Sequence, residues 1–248
     1  MRYMSQYRFH HLKIYIYPDI RLLNNHTIIK SINEPQYRLL KEIEGKKIDN
    51  VILPKHFYKL IPDMPGLSNL AYTQKRVKNF IPLAYFKKIE SRYSDKEILM
   101  LFRNLFTTEY NMHKEDVTSR DMHNKNILIN EELDHRIIDF DCTIYPACID
   151  HFTDESLFPN YDTLERHKLS DKVCLLWHFL YGMRDGHFEH RRNLDEPDFL
   201  EDFHLPREIE EKWKLWVSDD ASVLDKDEYF LEDFNTLIEE NYKLPYRR

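Results

Sequence analysis

The chain has 248 residues, of which 42% are hydrophobic and 14% aromatic, which excludes disorder over most of its length. Its formal net charge of −7 argues against nucleic acid or an anionic membrane as the main partner, because both attract basic surfaces. No apolar run reaches the roughly 18 residues that predict a transmembrane helix. Three cysteines without C-x-x-C spacing predict neither a disulfide framework nor a zinc site. We therefore expect a soluble, cytoplasmic protein, with a secreted effector that lacks a hydrophobic signal as the alternative.

The first third of the sequence alternates between apolar and polar residues, as antiparallel strands do. Strands are predicted at 12–17, 20–23 and 27–32, separated by turns at Pro18–Asp19 and Asn24–Asn25. A helix is predicted over 34–44, because its apolar residues share one face and Gly45 follows. Residues 51–53 and 67–73 are expected to supply further strands.

From about residue 80 the pattern becomes helical. Ser94 and Glu97 have the spacing of a capping box, in which each side chain binds a backbone N–H group of the first helical turn. The helix that follows leads to a polar loop over 120–126. Two short strands, at 127–129 and 136–138, flank a turn at 130–134. Later helices are predicted at 170–183, 206–217 and 227–241.

Two segments, 119–129 and 136–141, place acidic and amide side chains in turns directly against apolar strands. Phosphoryl transfer needs such groups, because a carboxylate must lie near the acceptor hydroxyl and hard oxygen ligands must hold Mg²⁺ against the nucleotide phosphates. The alternative is a purely structural role, in which the Asp and Asn residues only cap strands and turns, where both are favoured.

These segments resemble the protein-kinase-like superfamily. Arg120-Asp121 followed by Asn126 is similar to the family's catalytic loop, R-D-x-x-x-x-N, and Ile138-Asp139-Phe140 is similar to the strand and aspartate of its D-F-G turn. The resemblance implies that Asp121 is the catalytic base. It implies that Asn126 and Asp139 are magnesium ligands and that ATP binds beside them.

The resemblance extends in both directions from these motifs. Ile28-Ile29-Lys30 is similar to the strand that carries the phosphate-binding lysine, and Glu34 or Glu42 would then be its partner on the next helix. A lone lysine on a strand is usually solvated, so we expect Lys30 to contribute little to stability. Asp171 is similar to an aspartate that braces the catalytic-loop backbone. In small-molecule kinases Asp150 would be the relevant aspartate, and Asp171 would only begin a helix.

The sequence also departs from the family pattern. The glycine-rich loop is absent, since the first turn is Pro18–Asp19, and Asp141 replaces the glycine of D-F-G. Ser119 replaces the histidine before Arg120. Serine/threonine kinases carry lysine at the position of His123. A histidine there is similar to aminoglycoside and choline phosphotransferases. Lys125 stands where tyrosine-kinase loops often carry arginine.

The resemblance implies a bilobal α+β fold, with a strand-rich lobe over 1–75 and a helical lobe over 76–248 around a cleft for ATP and Mg²⁺. The leading interpretation is ATP-dependent phosphorylation of a serine, threonine or tyrosine hydroxyl in a protein. The alternatives are a small-molecule or sugar kinase and an inactive pseudokinase that serves as a binding module. Nucleotidyl transfer on the same scaffold stays open because the glycine-rich loop is missing.

Overall fold

A computed structural model describes residues 2–5, 15–17, 20–61, 69–119, 121–140, 168, 171–172, 174–176, 178–179, 205–217 and 227–244. The fold is mixed α+β, as the sequence predicts, and its first part is a six-stranded sheet in the order β1-β5-β6-β4-β3-β2. The strands are β1 (Arg2–Ser5), β2 (Tyr15–Tyr17), β3 (Ile20–Asn24), β4 (Thr27–Ile32), β5 (His56–Ile61) and β6 (Leu70–Lys75).

Strands β2, β3 and β4 form the predicted antiparallel series, and β4 lies inside the sheet between β3 and β6. In this register Lys30 pairs with Ile20 on one side and Tyr72 on the other. The turn predicted at Pro18–Asp19 lies outside the described residues. Strand β1 runs parallel to β5 at the sheet edge, and no sequence pattern predicted it.

The prediction of a strand at 51–53 is wrong, since β5 forms later, at His56–Ile61. Val51 instead makes an isolated parallel bridge to Ile137. The Ile52 N–H donates to the Ile137 carbonyl at 2.9 Å, and the Ile137 N–H donates to the Asn50 carbonyl at 2.9 Å. This short apolar segment therefore joins the large sheet to a later strand instead of extending the sheet.

Helix α1 (Glu34–Glu42) follows β4 directly and lies within the predicted range. Asn33 caps its first turn by accepting the Gln36 N–H, and the Gln36 side chain accepts the Asn33 N–H. Leu39 and Leu40 are buried against the sheet-side core. Gly45 has a φ of +89°, a left-handed conformation that favours glycine after a helix.

A second, three-stranded sheet has the order β7-β8-β9. Its strands are β7 (Ile81–Pro82), β8 (Ile127–Ile129) and β9 (His135–Ile137), so β9 begins one residue before the predicted position. Short 3-10 helices at Leu83–Lys88 and Glu90–Arg92 follow β7. The predicted turn between β8 and β9 is present, and the Asn130 side chain accepts the N–H groups of Glu132 and Asp134.

Helix α2 (Asp95–Lys114) begins at the predicted capping box, where Ser94 accepts the Glu97 N–H and Glu97 accepts the Ser94 N–H. The described residues between 168 and 179 are helical, and helices α3 (Arg207–Val217) and α4 (Asp227–Glu239) fall within their predicted ranges. Within the described part of the chain, no helix is both long and apolar enough to span a membrane.

Aromatic side chains hold the helices together. The Phe106 ring of α2 meets Phe230 of α4 edge-on, with centroids 4.4 Å apart. Phe179 and Trp213 pack edge to face, and both are almost fully buried. The Trp213 Nε1–H donates to Asp233 Oδ2 at 3.1 Å, so its polar group is satisfied in the core. Trp213 is thus an anchor of the helical core.

Candidate functional site

The polar loop after α2 brings Asp121 and Asn126 into contact. Asn126 Nδ2 donates to the main-chain oxygen of Asp121 at 3.0 Å and to Asp121 Oδ2 at 3.1 Å. Asn126 is buried and directly precedes β8, so the strand fixes the base of its side chain. Since both bonds use the amide nitrogen, the amide orientation is defined and Oδ1 is the atom left for other partners. Arg120 lies outside the described residues.

Asp139 lies in the turn after β9, beside the same loop. The Ile138 N–H donates to the Asn126 carbonyl at 3.0 Å, which ties the turn to the polar loop. Asp139 itself has a φ of +66°. A left-handed backbone is uncommon outside glycine, although aspartate tolerates it better than most residues. Asp141, which replaces the glycine, lies outside the described residues.

Lys30 reaches this turn from the large sheet, 109 residues away in the sequence. Its Nζ donates to Asp139 Oδ1 at 2.9 Å, and the lysine side chain is only 11% exposed. The expectation of a solvated lysine is therefore wrong. Lys30 lies on an inner strand of the sheet, and its side chain is buried where it meets Asp139.

The structure places the two candidate glutamates of α1 on its solvent face. Glu34 is exposed in the first turn and accepts a hydrogen bond from Arg38 Nε at 3.3 Å. Glu42 is exposed at the end of the same helix. The sequence-predicted residues that come together are thus Lys30 with Asp139 and Asp121 with Asn126.

A buried aspartate lies under the polar loop that carries Asp121 and Asn126. Asp171 is fully buried, and its Oδ2 accepts the Ser119 N–H at 2.7 Å. Of the two alternatives for Asp171, the structure therefore shows the buried one, in which the carboxylate is bonded to the loop backbone. The same oxygen lies 3.4 Å from His113 Nε2. Asp150, the rival residue for this position, lies outside the described residues.

His113 is held between two buried carboxylates. Its Nδ1 lies 2.8 Å from Glu109 Oε1, close enough for an ion pair although the angle is poor for a hydrogen bond. Burial alone lowers the pKa of His113, but the charges of Glu109 and Asp171 and the contact with Asp171 outweigh it and raise the pKa. Burial raises the pKa of Asp171, and the bonds from His113 and Ser119 only partly oppose this. A proton is therefore retained in this cluster near neutral pH.

A further buried histidine supports the loop from the 168–179 region. His178 Nε2 lies 3.2 Å from the carbonyl oxygen of Met122, and the ring is almost fully buried. Burial lowers the pKa of His178 to about 4, with only partial opposition from the bond to Met122. The ring is therefore neutral near pH 7, and Nε2 donates its proton to that carbonyl.

Sequence reasoning missed Glu109, His113 and His178. A signal for the first pair was present: Glu109 and His113 stand four residues apart on the apolar stripe that carries Leu105 and Met112. Charged residues on a buried helix face are rare unless they are paired. Such an interruption of the stripe predicts a polar cluster, although its partner across the fold cannot be read from α2 alone.

The donor set beside Asp139 fits a magnesium ion. Among contacts within the described residues, Oδ2 of Asp139 and Oδ1 of Asn126 accept no hydrogen bond. Carboxylate and amide oxygens are the hard ligands that Mg²⁺ prefers. The backbone bond from Ile138 to Asn126 keeps the two side chains on neighbouring segments.

Comparison with models of known protein families finds no match, and no curated protein matches the sequence.

Proposed function

We propose that the protein is an ATP- and Mg²⁺-dependent phosphotransferase of the protein-kinase-like type, with the strand-rich and helical parts as two lobes around the nucleotide. The observation that carries the proposal is the ion pair between Lys30 Nζ and Asp139 Oδ1 at 2.9 Å. It joins a cation of the large sheet to the carboxylate of a turn after β9. A cation beside an acidic metal ligand is the arrangement that nucleotide phosphates and their metal require.

Each residue of the site has a defined role in the proposed reaction. Asp121 accepts the proton of the acceptor hydroxyl while the oxygen of that hydroxyl bonds to the γ-phosphorus of ATP. The bond from that phosphorus to the bridging oxygen breaks, and ADP leaves with the electron pair. Asn126 and Asp139 would hold Mg²⁺, which supplies charge neutralisation at the phosphates when bound. Lys30 binds the phosphates with its ammonium group.

A protein hydroxyl is the acceptor class that we propose. The position of Asp171 favours it, because this aspartate lies buried beneath the catalytic loop and accepts the Ser119 N–H. That is the brace expected from resemblance to protein kinases, whereas a small-molecule kinase would have Asp171 in solvent. The second candidate, a small-molecule or sugar kinase, is favoured by His123, which stands where serine/threonine kinases carry lysine.

Labelled ATP distinguishes these functions. The protein is incubated with γ-labelled or α-labelled ATP, Mg²⁺, a generic protein substrate and candidate small-molecule alcohols. We expect γ-label on protein. The γ-label on a small product would establish the second candidate, α-label on any product would indicate nucleotidyl transfer, and nucleotide binding without transfer would indicate a pseudokinase.

The Asp139→Asn variant is the matched control for this assay. It keeps the size of the side chain but removes the charge that Mg²⁺ and Lys30 require, so metal-dependent nucleotide binding should weaken and transfer should be lost. Transfer at the wild-type rate in this variant would show that Asp139 is not a metal ligand.

A further inference from the structure

His123 lies beside the proposed catalytic base, two residues further along the loop. Its Nε2 is 3.4 Å from Asp121 Oδ2, and the two side chains are 39% and 42% exposed. This distance is longer than that of a well-formed hydrogen bond. Catalytic contacts are often long in the absence of substrate and shorten when the complex forms.

The loop backbone fixes the tautomer of His123. The Lys125 N–H donates to His123 Nδ1 at 3.0 Å. A ring nitrogen that accepts a hydrogen bond carries no proton, so the neutral ring bears its proton on Nε2. Nε2 is the nitrogen that lies next to Asp121. The ring therefore presents a donor to the carboxylate.

The two oxygens of Asp121 are not equivalent as a result. Oδ2 receives Asn126 Nδ2 at 3.1 Å and lies next to His123 Nε2. Among contacts within the described residues, no donor reaches Oδ1, so this oxygen stays available. A carboxylate whose one oxygen is held by donors keeps the other oxygen in a defined direction, which a general base requires.

We propose that His123 is a positioning residue that holds Asp121 Oδ2, so that Oδ1 is the atom that takes the proton of the acceptor hydroxyl. This inference rests on the proposed function. It gives His123 a role different from a contact to the nucleotide phosphates and from a simple cap of the loop. A phosphate ligand would act on nucleotide affinity, whereas a positioning residue acts on the rate of transfer.

Substitutions at His123 test the proposal by separating kcat from KM. His123→Phe keeps a ring but removes the donor, whereas His123→Gln keeps an N–H donor at a similar reach. We expect kcat to fall roughly 10- to 100-fold in the phenylalanine variant, the scale of a misplaced catalytic group, with KM for ATP nearly unchanged. The glutamine variant should recover most of the lost rate. An unchanged kcat in the phenylalanine variant, or a loss that appears mainly in KM for ATP, would overturn the proposal.

An NMR measurement on the intact protein needs no activity and so separates this proposal from the proposed function. Long-range proton–nitrogen spectra at a pH where the ring is neutral identify which nitrogen of His123 bears the proton. We expect the proton on Nε2 and a change in the Nε2 resonance in Asp121→Asn. A proton on Nδ1, or no response to that substitution, would overturn the positioning role even in an active enzyme. The expected spectra in a protein that transfers no γ-label would support the contact and reject only the proposed reaction.

Discussion

At the scale of single residues, two contacts define the site. Asn126 holds Asp121 through the amide nitrogen, and Lys30 holds Asp139 through its ammonium group. The first pair lies five residues apart in one loop, so its contact is a local property of that loop. The second pair joins two separate sheets. Each contact leads to a different prediction.

Substitution of Asp121 tests the base. Asp121→Asn keeps the shape of the side chain and removes its ability to accept a proton, so turnover should fall by roughly 10²–10⁴. ATP affinity should stay nearly unchanged, because the base acts on the acceptor hydroxyl. Single-turnover rates and nucleotide titration on one preparation measure both quantities. Full activity would remove Asp121 from the chemistry, and loss of ATP binding would make it a structural residue.

Substitution of Lys30 tests the phosphate-binding role. Lys30→Ala should abolish most of the transfer activity, because it removes the ammonium group that pairs with Asp139 Oδ1 and that we propose binds the phosphates. Because Lys30 is buried, the change also leaves the Asp139 carboxylate without its ion-pair partner. The free energy of unfolding should therefore fall by about 1–3 kcal/mol. Urea denaturation and the labelled-ATP assay measure the two effects.

The exposed Lys55 provides the matched control for that substitution. Lys55→Ala should leave activity and stability close to the wild-type values, because an exposed lysine contributes little. If Lys30→Ala behaved like Lys55→Ala in both assays, the phosphate-binding role would have to move to another residue.

At the scale of elements, α2 and the helical residues between 168 and 179 support the polar loop that carries Asp121 and Asn126. His113 of α2 lies against Asp171, and Asp171 binds the Ser119 N–H, which begins the loop. His178 binds the Met122 carbonyl within the loop. The loop backbone is therefore held from two helical elements, and its geometry depends on how these elements pack.

Asp171→Ala should loosen this support. It removes the acceptor of the Ser119 N–H and leaves His113 beside Glu109 alone, so the free energy of unfolding should fall by roughly 1–3 kcal/mol. Amide hydrogen exchange at Ser119 should become faster, because its N–H loses its partner. Asp171→Asn retains an acceptor oxygen and should preserve much of the Ser119 protection.

A cap at the far end of α2 gives the control for this prediction. Ser94→Ala removes the cap bond to the Glu97 N–H and should cost about 1 kcal/mol of stability. It should leave exchange at Ser119 unchanged, since the cap lies at the other end of the helix. Equal exchange rates at Ser119 in wild type and Asp171→Ala would contradict the proposed support of the loop.

At the scale of the whole molecule, buried histidines make stability depend on pH in opposite directions. His135 is buried beside Thr108 Oγ1, at 2.7 Å, and burial lowers its pKa to about 4. His178 has a pKa of about 4 for the same reason. His113 differs, because its two carboxylate neighbours raise its pKa.

Stability should fall as the pH is lowered from 6.5 towards 4. In this window the unfolded chain binds protons at His135 and His178, whose ordinary pKa is 6.5, while the folded protein keeps both rings neutral. Each ring should contribute roughly 3 kcal/mol that is present above 6.5 and lost on acidification. Urea denaturation across this range should give a shallower slope for His135→Gln than for the wild type, and parallel slopes would contradict the prediction.

Stability should also fall as the pH rises above 6.5, through the raised folded-state pKa of His113. The folded protein retains this proton while the unfolded chain releases it, so the contribution is complete below 6.5 and is lost as the ring deprotonates. The pKa of Asp171 is also raised. Its contribution to stability is therefore also lost as the pH rises, but in a window that begins near the ordinary carboxyl pKa of about 3.8. His113→Gln should remove the alkaline decline in urea denaturation, and a variant that retained it would show that another group is responsible.

The sequence by itself determined the features that depend on neighbouring residues. The capping box at Ser94 and Glu97, the strand at Ile127–Ile129 and the strand at Thr27–Ile32 follow from local hydrogen bonding and from the period of apolar residues. The contact between Asp121 and Asn126 also depends on near neighbours, because the two residues lie only five positions apart in one loop.

Only the tertiary structure decided the contacts between distant segments. Lys30 meets Asp139 across 109 residues, and Asp171 meets Ser119 across 52. The apolar run beginning at Val51 bridges to Ile137 where a strand of the large sheet was expected. The reason is physical: a short apolar run or a single charged residue has several partners of similar local free energy, and the packing of the whole chain selects one.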